Sequence, residues 1–271
     1  MAYANFKPTI WSKHIQHELA KFTVFEDGCN YQFSGDVGMG KTVKILGVTA
    51  PTIGDYTGAD IGAPETQPGT TQTLQIDQAK FFNFMVDDVD KAQSIEGLMP
   101  ALMEEATRAM AEARDKFIAK TIASNPTDGA GACGLVTQAI NSAANAKKAI
   151  NEALTKLWDA GVPQNGNVTI YLNPTAYMWM ADFIVDARSK NDSLVDNGVL
   201  GKYMGAKVKM SNNFFDNTMF VMTDKAVAFK GCIESVEAYR PQGLFSDAVK
   251  GLNTYGCKVV RPKELVLIKQ A

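Results

Sequence analysis

His14 and His17 are the only histidines in these 271 residues, and neither has a cysteine or a further histidine near it in sequence. Spaced three apart with Glu18 beside them, they could offer two metal ligands on a helix, but tetrahedral zinc needs more. They read as exposed polar residues on an arm, and any Ser-His-Asp or Cys-His site would have to recruit that segment. The four cysteines, Cys29, Cys133, Cys232 and Cys257, form no CxxC pair. A chain of this size needs no disulfide frame, so all four are expected to be reduced, mostly buried thiols. No stretch approaches the roughly 18 apolar residues of a membrane span. The opening MAYANFKPTIWSKHIQHELAKF lacks the basic, apolar and small-residue order of a secretory signal, and a soluble chain made in the cytoplasm is expected. Neither sign of charge is in excess: 27 Lys plus Arg against 29 Asp plus Glu give a net charge of -2. That balance excludes a global pull toward phosphate backbones or anionic membranes.

What the chain does have is an ordinary apolar content, 46% of residues, enough for a core. Residues 1 to 30 are mixed and weakly periodic, with Pro8, Trp11 and Phe22 as scattered anchors. From Tyr31 to Gln72 Gly, Thr, Asp and Pro dominate, around one strand-like piece, Thr42 to Val48. The half ADIGAPETQPGTT has almost nothing to bury, which is unusual inside a compact domain. Alternation then places Leu74, Ile76, Phe82, Phe84 and Val86 on one face of an extended segment. Helical spacing follows through Ile95, Leu98, Met99, Leu102, Met103, Ala106, Met110, Ala113, Phe117 and Thr121, with Glu104, Glu105, Arg108, Glu112, Arg114 and Lys116 largely elsewhere. Counted from Pro100 to Ala123, this predicts a helix about 36 Å long. A second helix is expected from about Ala144 to Ala160, stopped by Gly161. A strand at Val168 to Leu172, a helix opened by Pro174, and strands at Ala206 to Met210, Met219 to Thr223, Ala226 to Phe229, Tyr255 to Arg261 and Glu264 to Ile268 complete a mixed α+β chain.

One motif invites an enzymatic reading. Gly35 to Thr42 fits the P-loop pattern GxxxxGK[ST], in which a strand enters the loop and a helix leaves it to cradle phosphates. Here the exit, Val43-Lys44-Ile45-Leu46-Gly47-Val48, is rich in β-branched residues and predicts a strand. Val221 to Asp224 could imitate the partner acidic strand, yet alternating strands and helices are missing around both. A glycine-rich hairpin tip is the better reading. Asp87, Asp88 and Asp90 suit the start of the long helix and lack the spacing of a calcium loop. Met178, Trp179 and Met180 read as core or subunit contact. No catalytic, cofactor-binding or metal residue is assigned.

Three stretches together resemble the major capsid proteins of tailed bacteriophages of the Hong Kong 97 type. These are LQIDQAKFFNFMVDDVDKAQS running into EEATRAMAEARDKFIAKTIA after a Gly/Thr-rich loop, NVTIYLNPTAYMWMADF through GVLGKYMGAKVKMSNNF, and the ending SDAVKGLNTYGCKVVRPKELVLI. The resemblance implies an α+β, Hong Kong 97-like capsid fold: an N-terminal arm (1–30), an extended β-hairpin loop (31–72), a peripheral domain with the long spine helix (73–138), an axial domain (139–228) and a return to the peripheral domain (229–271). It implies a non-enzymatic coat subunit that self-assembles as pentamers and hexamers into an icosahedral head around double-stranded DNA. A separate scaffolding protein, a portal and, in some members, decoration proteins would be its partners, with weak non-specific DNA contact and no membrane. The place would be the virion, after assembly in the bacterial host cytoplasm. Some relatives crosslink subunits through Lys and Asn, but no residue here matches that chemistry. An encapsulin-type nanocompartment shell shares the fold and is the alternative reading, ahead of a P-loop nucleotide-binding protein. The loop 31–72 is expected to be ordered by neighbours, with Val43 and Ile45 laid on an adjacent subunit.

Overall fold

The computed structural model describes residues 24–34, 42–47, 51–53, 55, 64–66, 69–88, 98–129, 132–164, 166–186, 195–196 and 199–270. His14, His17, Glu18, Asp90 and the glycine loop 35–41 lie outside these. In chain order the strands are β1 (Thr42–Gly47), β2 (Thr70–Gln75), β3 (Gln78–Asp87), β4 (Gly134–Thr137), β5 (Val168–Leu172), β6 (Val195–Asp196), β7 (Val199–Leu200), β8 (Lys202–Tyr203), β9 (Ala206–Met210), β10 (Met219–Thr223), β11 (Val227–Tyr239), β12 (Ser246–Val259) and β13 (Leu265–Lys269). The helices are α1 (Leu98–Ala123), α2 (Ala143–Asp159) and α3 (Pro174–Asp186).

Local chemistry explains where the helices start and stop. Pro100 sits in the first turn of α1, where a missing N–H breaks no intrahelical bond. Ser142 caps α2 by accepting from the Asn145 N–H at 3.3 Å. Its other end closes when Gly161 takes a φ of +94°, so that the Gly161 N–H reaches the Trp158 carbonyl at 2.9 Å and the Val162 N–H reaches that of Leu157 at 3.2 Å. This is the paired termination for which glycine is favoured. Before α3, the Asn173 side chain accepts from the Ala176 N–H at 2.8 Å, and Pro174 opens the helix.

Among the described residues the central sheet has six strands in the order β4-β13-β10-β5-β9-β8, with β13/β4 and β5/β9 parallel and the rest antiparallel. Both of its faces are covered, which is why β10 reads MFVMT and β13 reads LVLI without polar alternation. Met219, Val221, Val266 and Ile268 meet α2 through Ala149, Ala153, Leu154 and Leu157. Phe220, Met222, Leu265 and Leu267 point the other way, toward Phe25, Ile118 and Ile122. Strand β4, from the stretch expected to be peripheral, and β13, from the stretch expected to return there, both lie in this sheet.

A second sheet, β11-β12-β3, is a long antiparallel hairpin with β3 on its edge. The first half of α1 lies on it, burying Met103, Met110 and Ala111 against Val236, Val249, Phe82 and Phe84. Sequence alternation predicts one extended segment from Leu74 to Val86, but the chain breaks it after Gln75 and changes sheets. β2 pairs with β1, and β3 with β12. The β1–β2 hairpin then docks on its own subunit: Val43, Ile45 and Leu74 are buried with Ala228 beside Phe33 and Val260. The expectation that Val43 and Ile45 cover an adjacent subunit is therefore corrected.

Candidate assembly surface

The alternation of β3 should send Phe82, Phe84 and Val86 inward and leave polar residues outside, yet Phe81 and Met85 occupy the outward positions. Both are exposed. They share the outer face with the β12 residue Leu252 and with Tyr239, whose hydroxyl donates to Asn83 Oδ1 at 3.2 Å. Lys250 bridges that face, 2.9 Å from Glu237 and 5.0 Å from the centre of the Tyr239 ring. The turn between β11 and β12 carries Leu244 and Phe245, also exposed. It is not a loose tip: the Asp88 N–H donates to the Phe245 carbonyl at 2.9 Å. Arg240 pairs with Asp88, and its Nε donates to Asp247 Oδ1 at 3.1 Å. A single guanidinium thus links the end of β3 to both sides of the turn that carries Phe245.

Exposed large apolar groups also occur on the β1–β2 hairpin and around the six-stranded sheet. On the hairpin, Leu46 and, beyond it, Ile53 face away from the buried root. Around the six-stranded sheet, Met178 of α3, Met204, Met210 and Phe215 are exposed, whereas Met180 is core and Trp179 packs partly against it. Ile53 is 93% exposed, Phe245 81%, Phe81 79% and Leu46 78%, values at which the side chain meets almost only solvent. A few scattered apolar residues on a surface need no explanation, but clusters on projecting elements point to contacts with other molecules.

The other candidates from the sequence fall apart spatially. Thr42 begins a strand, so the chain leaving the glycine-rich segment is β1 and not a helix. Val221 to Thr223 belong to β10 in a different sheet, and Asp224 accepts from the Asn167 side chain at 3.1 Å. Asp87 ends β3, and Asp88 is engaged by Arg240. Cys29, Cys133 and Cys257 are free thiols, each made less acidic by burial. Such thiols are poor nucleophiles. Among the described residues no three His, Cys, Asp or Glu side chains are grouped to hold a metal, and no helix is long and apolar enough to cross a membrane.

Comparison with known proteins settles what the surface belongs to. Residues 69–268 match the family model described as phage capsid protein. The chain belongs to this family. A protein of Mycobacterium phage Che8 superposes with a TM-score of 0.76 at 31% identity, over 91% of this chain and 90% of that one. A chain from the capsid of cyanophage P-SCSP1u gives 0.75 at 16% identity, covering 92% and 88%. The virus-like particle of Pyrococcus furiosus shares the fold, at a TM-score of 0.60 and 11% identity over 95% and 96%. A search of curated protein sequences gives no match. The protein is a tailed-phage major capsid protein with the Hong Kong 97-like fold, a structural component of the virion that assembles with other copies into an icosahedral shell.

In the capsid protein, the doublets Phe81-Phe82 and Phe84-Met85 carry the signal that the sequence reading missed. A strand with apolar residues in both phases has two faces to cover, and α1 covers only one.

Proposed function

We propose that this capsid protein closes into pentamers and hexamers around double-stranded phage DNA, and that its exposed apolar clusters are the surfaces by which subunits meet. The exposure of Phe81, Met85, Leu244 and Phe245 on one braced projecting sheet carries this reading. A head-to-tail contact whose rotation closes makes rings, and such rings tile a shell. In this reading residues 1–30 are the arm, 31–72 the extended loop, 73–138 the peripheral part, 139–228 the axial part and 229–271 the return, with β4 and β13 contributed to the axial sheet. Assembly takes place in the host cytoplasm with a separate scaffolding protein and a portal. The DNA is held by weak non-specific contact, in keeping with a net charge of -2. The subunit carries out no catalysis.

The test is Phe81→Asp and Phe245→Asp, each expressed with whatever scaffold the wild type needs. Both side chains are on the surface, so circular dichroism and the melting temperature should match the wild type. Negative-stain images and sedimentation should show free subunits or small rings in place of shells. Normal yields of closed shells from both variants would refute the role of this face.

A further inference from the structure

Residues 24–30 thread between α1 and both sheets. Phe25 is fully buried, edge-on to Tyr171 at 5.3 Å and to Phe214 at 5.2 Å. Gly28 lies so close to the Tyr171 hydroxyl that a Cβ there would stand 2.0 Å from its oxygen. The Asn30 N–H donates to the Val227 carbonyl at 2.7 Å, adding a short parallel bridge to β11. This is a tightly packed junction. Three charged residues nevertheless enter it: Glu26 from the segment, and Arg114 and Asp115 from α1.

Their situations differ. Arg114 pairs with Glu26 and lies over the Phe229 ring at 5.0 Å, in space left by Gly231, where a Cβ would sit 2.6 Å from the guanidinium. Asp115 is fully buried, and among the described residues no ion pair reaches it. Its Oδ2 accepts from the Val24 N–H at 3.1 Å, while Oδ1 is buried without a hydrogen-bond partner. The titratable groups that face it are Glu26 and Cys29 from the segment and Tyr171 from β5, with the Asn213 amide from the loop after β9. On its own helix, Arg114 is turned toward Glu26.

We infer that Asp115 makes this junction a proton-responsive clasp, which holds residues 24–30 on α1 when protonated and loosens them when ionised. A neutral carboxyl keeps an acceptor for the Val24 N–H and gains a donor, whereas a buried carboxylate without a counter-charge is costly. Burial pushes Asp115 up from 3.8 to about 6, with the Glu26 charge adding to the rise and the Val24 and Phe25 N–H groups and the Asn213 amide opposing it. Once the segment lifts away, the carboxyl is hydrated and returns toward its ordinary value. The docked form therefore binds the proton more tightly. Docking strengthens as pH falls through about 6 and is weakest above it.

The direct measurement is hydrogen exchange of peptides spanning 24–30 in the full-length protein, held in one assembly state from pH 8 to pH 5 and corrected for intrinsic exchange. The wild type should open about tenfold less at pH 5 than at pH 8, the ratio that follows from carboxyl values of about 6 docked and 3.8 undocked. Asp115→Asn should be flat across that range, and Asp115→Ser gives the same neutral readout with a smaller side chain. Glu26→Gln should keep the sign of the slope at a reduced size, because Asp115 still titrates but without the neighbouring charge that adds to its rise. A flat wild type, a wild-type slope surviving in both neutral variants, or a slope lost in Glu26→Gln would each overturn the assignment to Asp115.

Discussion

Leu74→Ala asks whether the β1–β2 hairpin is anchored by its own subunit. Leu74 is fully buried in a small cluster with Val43, Ile45 and Ala228, flanked by Phe33 and Val260. Each of the three hairpin side chains contributes about 1.5–3 kcal/mol by leaving water. The docking is completed by two long-range bonds, Gln72 Nε2 to the Val260 carbonyl at 3.1 Å and Lys258 Nζ to the Thr73 carbonyl at 2.9 Å. A net contribution of about 0.5–1.5 kcal/mol is usual for such bonds, so the apolar root dominates. Truncating a packed leucine to alanine costs about 2–5 kcal/mol. That is a large share of what holds the hairpin, and little of what holds the six-stranded sheet, to whose clusters Leu74 does not belong.

The expected outcome in free subunits is local opening. Amide protection in 42–47 and 70–75 should fall by at least about 30-fold, the equivalent of about 2 kcal/mol, while β10 and β13 keep theirs. Leu46→Ala, on the exposed face of the same strand, should change neither. Equal loss of protection in β10 and β13 would show that the hairpin is no separate unit. Unchanged protection of the hairpin would show that its apolar root is not the anchor.

Much of this fold is legible from short-range chemistry. The helices announce themselves through Ser142, Asn173-Pro174 and Gly161, and β9 and β10 coincide with the expected spans because their flanking turns are marked by Gly205 and by the left-handed Asp216 and Asn217. The long β11–β12 hairpin is legible only at its ends. Gly251 stands opposite Phe82 on the inward face, and a register shift between Ile233 and Ser235 changes the phase, so alternation is lost midway. The junction on α1 was hidden for another reason. Arg114 belongs with the charged residues by helical spacing, and it is buried because Glu26 and Phe229, far away in the chain, come to meet it. No sequence window contains that meeting. The surface residues were hidden because an exposed phenylalanine and a core phenylalanine look alike until the layer above the strand is known.

Gly256→Ala should weaken the point where the chain passes from one sheet to the other, because a Cβ there would lie 2.1 Å from the Gln75 carbonyl oxygen, a backbone atom that cannot rotate away. Overpacking of this kind costs about 1–3 kcal/mol, and the loss should appear as a lower melting temperature, whereas an unchanged one would mean that β2 moves freely off β12. The last expectation separates the two ends of α1. Met103 and Ile118 are both almost wholly buried, and truncating either to alanine removes about 2–5 kcal/mol of packing. Among the described residues, however, Met103 belongs to the cluster on the three-stranded sheet, whereas Ile118 sits in the cluster that joins that sheet to the central one through Phe229, Tyr255, Phe220 and Leu267. Met103→Ala should therefore lower amide protection mainly in β3 and in the halves of β11 and β12 next to the turn. Ile118→Ala should lower it in β10 and β13 as well, since the helix can no longer fill the space between the sheets. If both variants spread their losses evenly over the chain, the two layers unfold as one unit and α1 does not link separable parts.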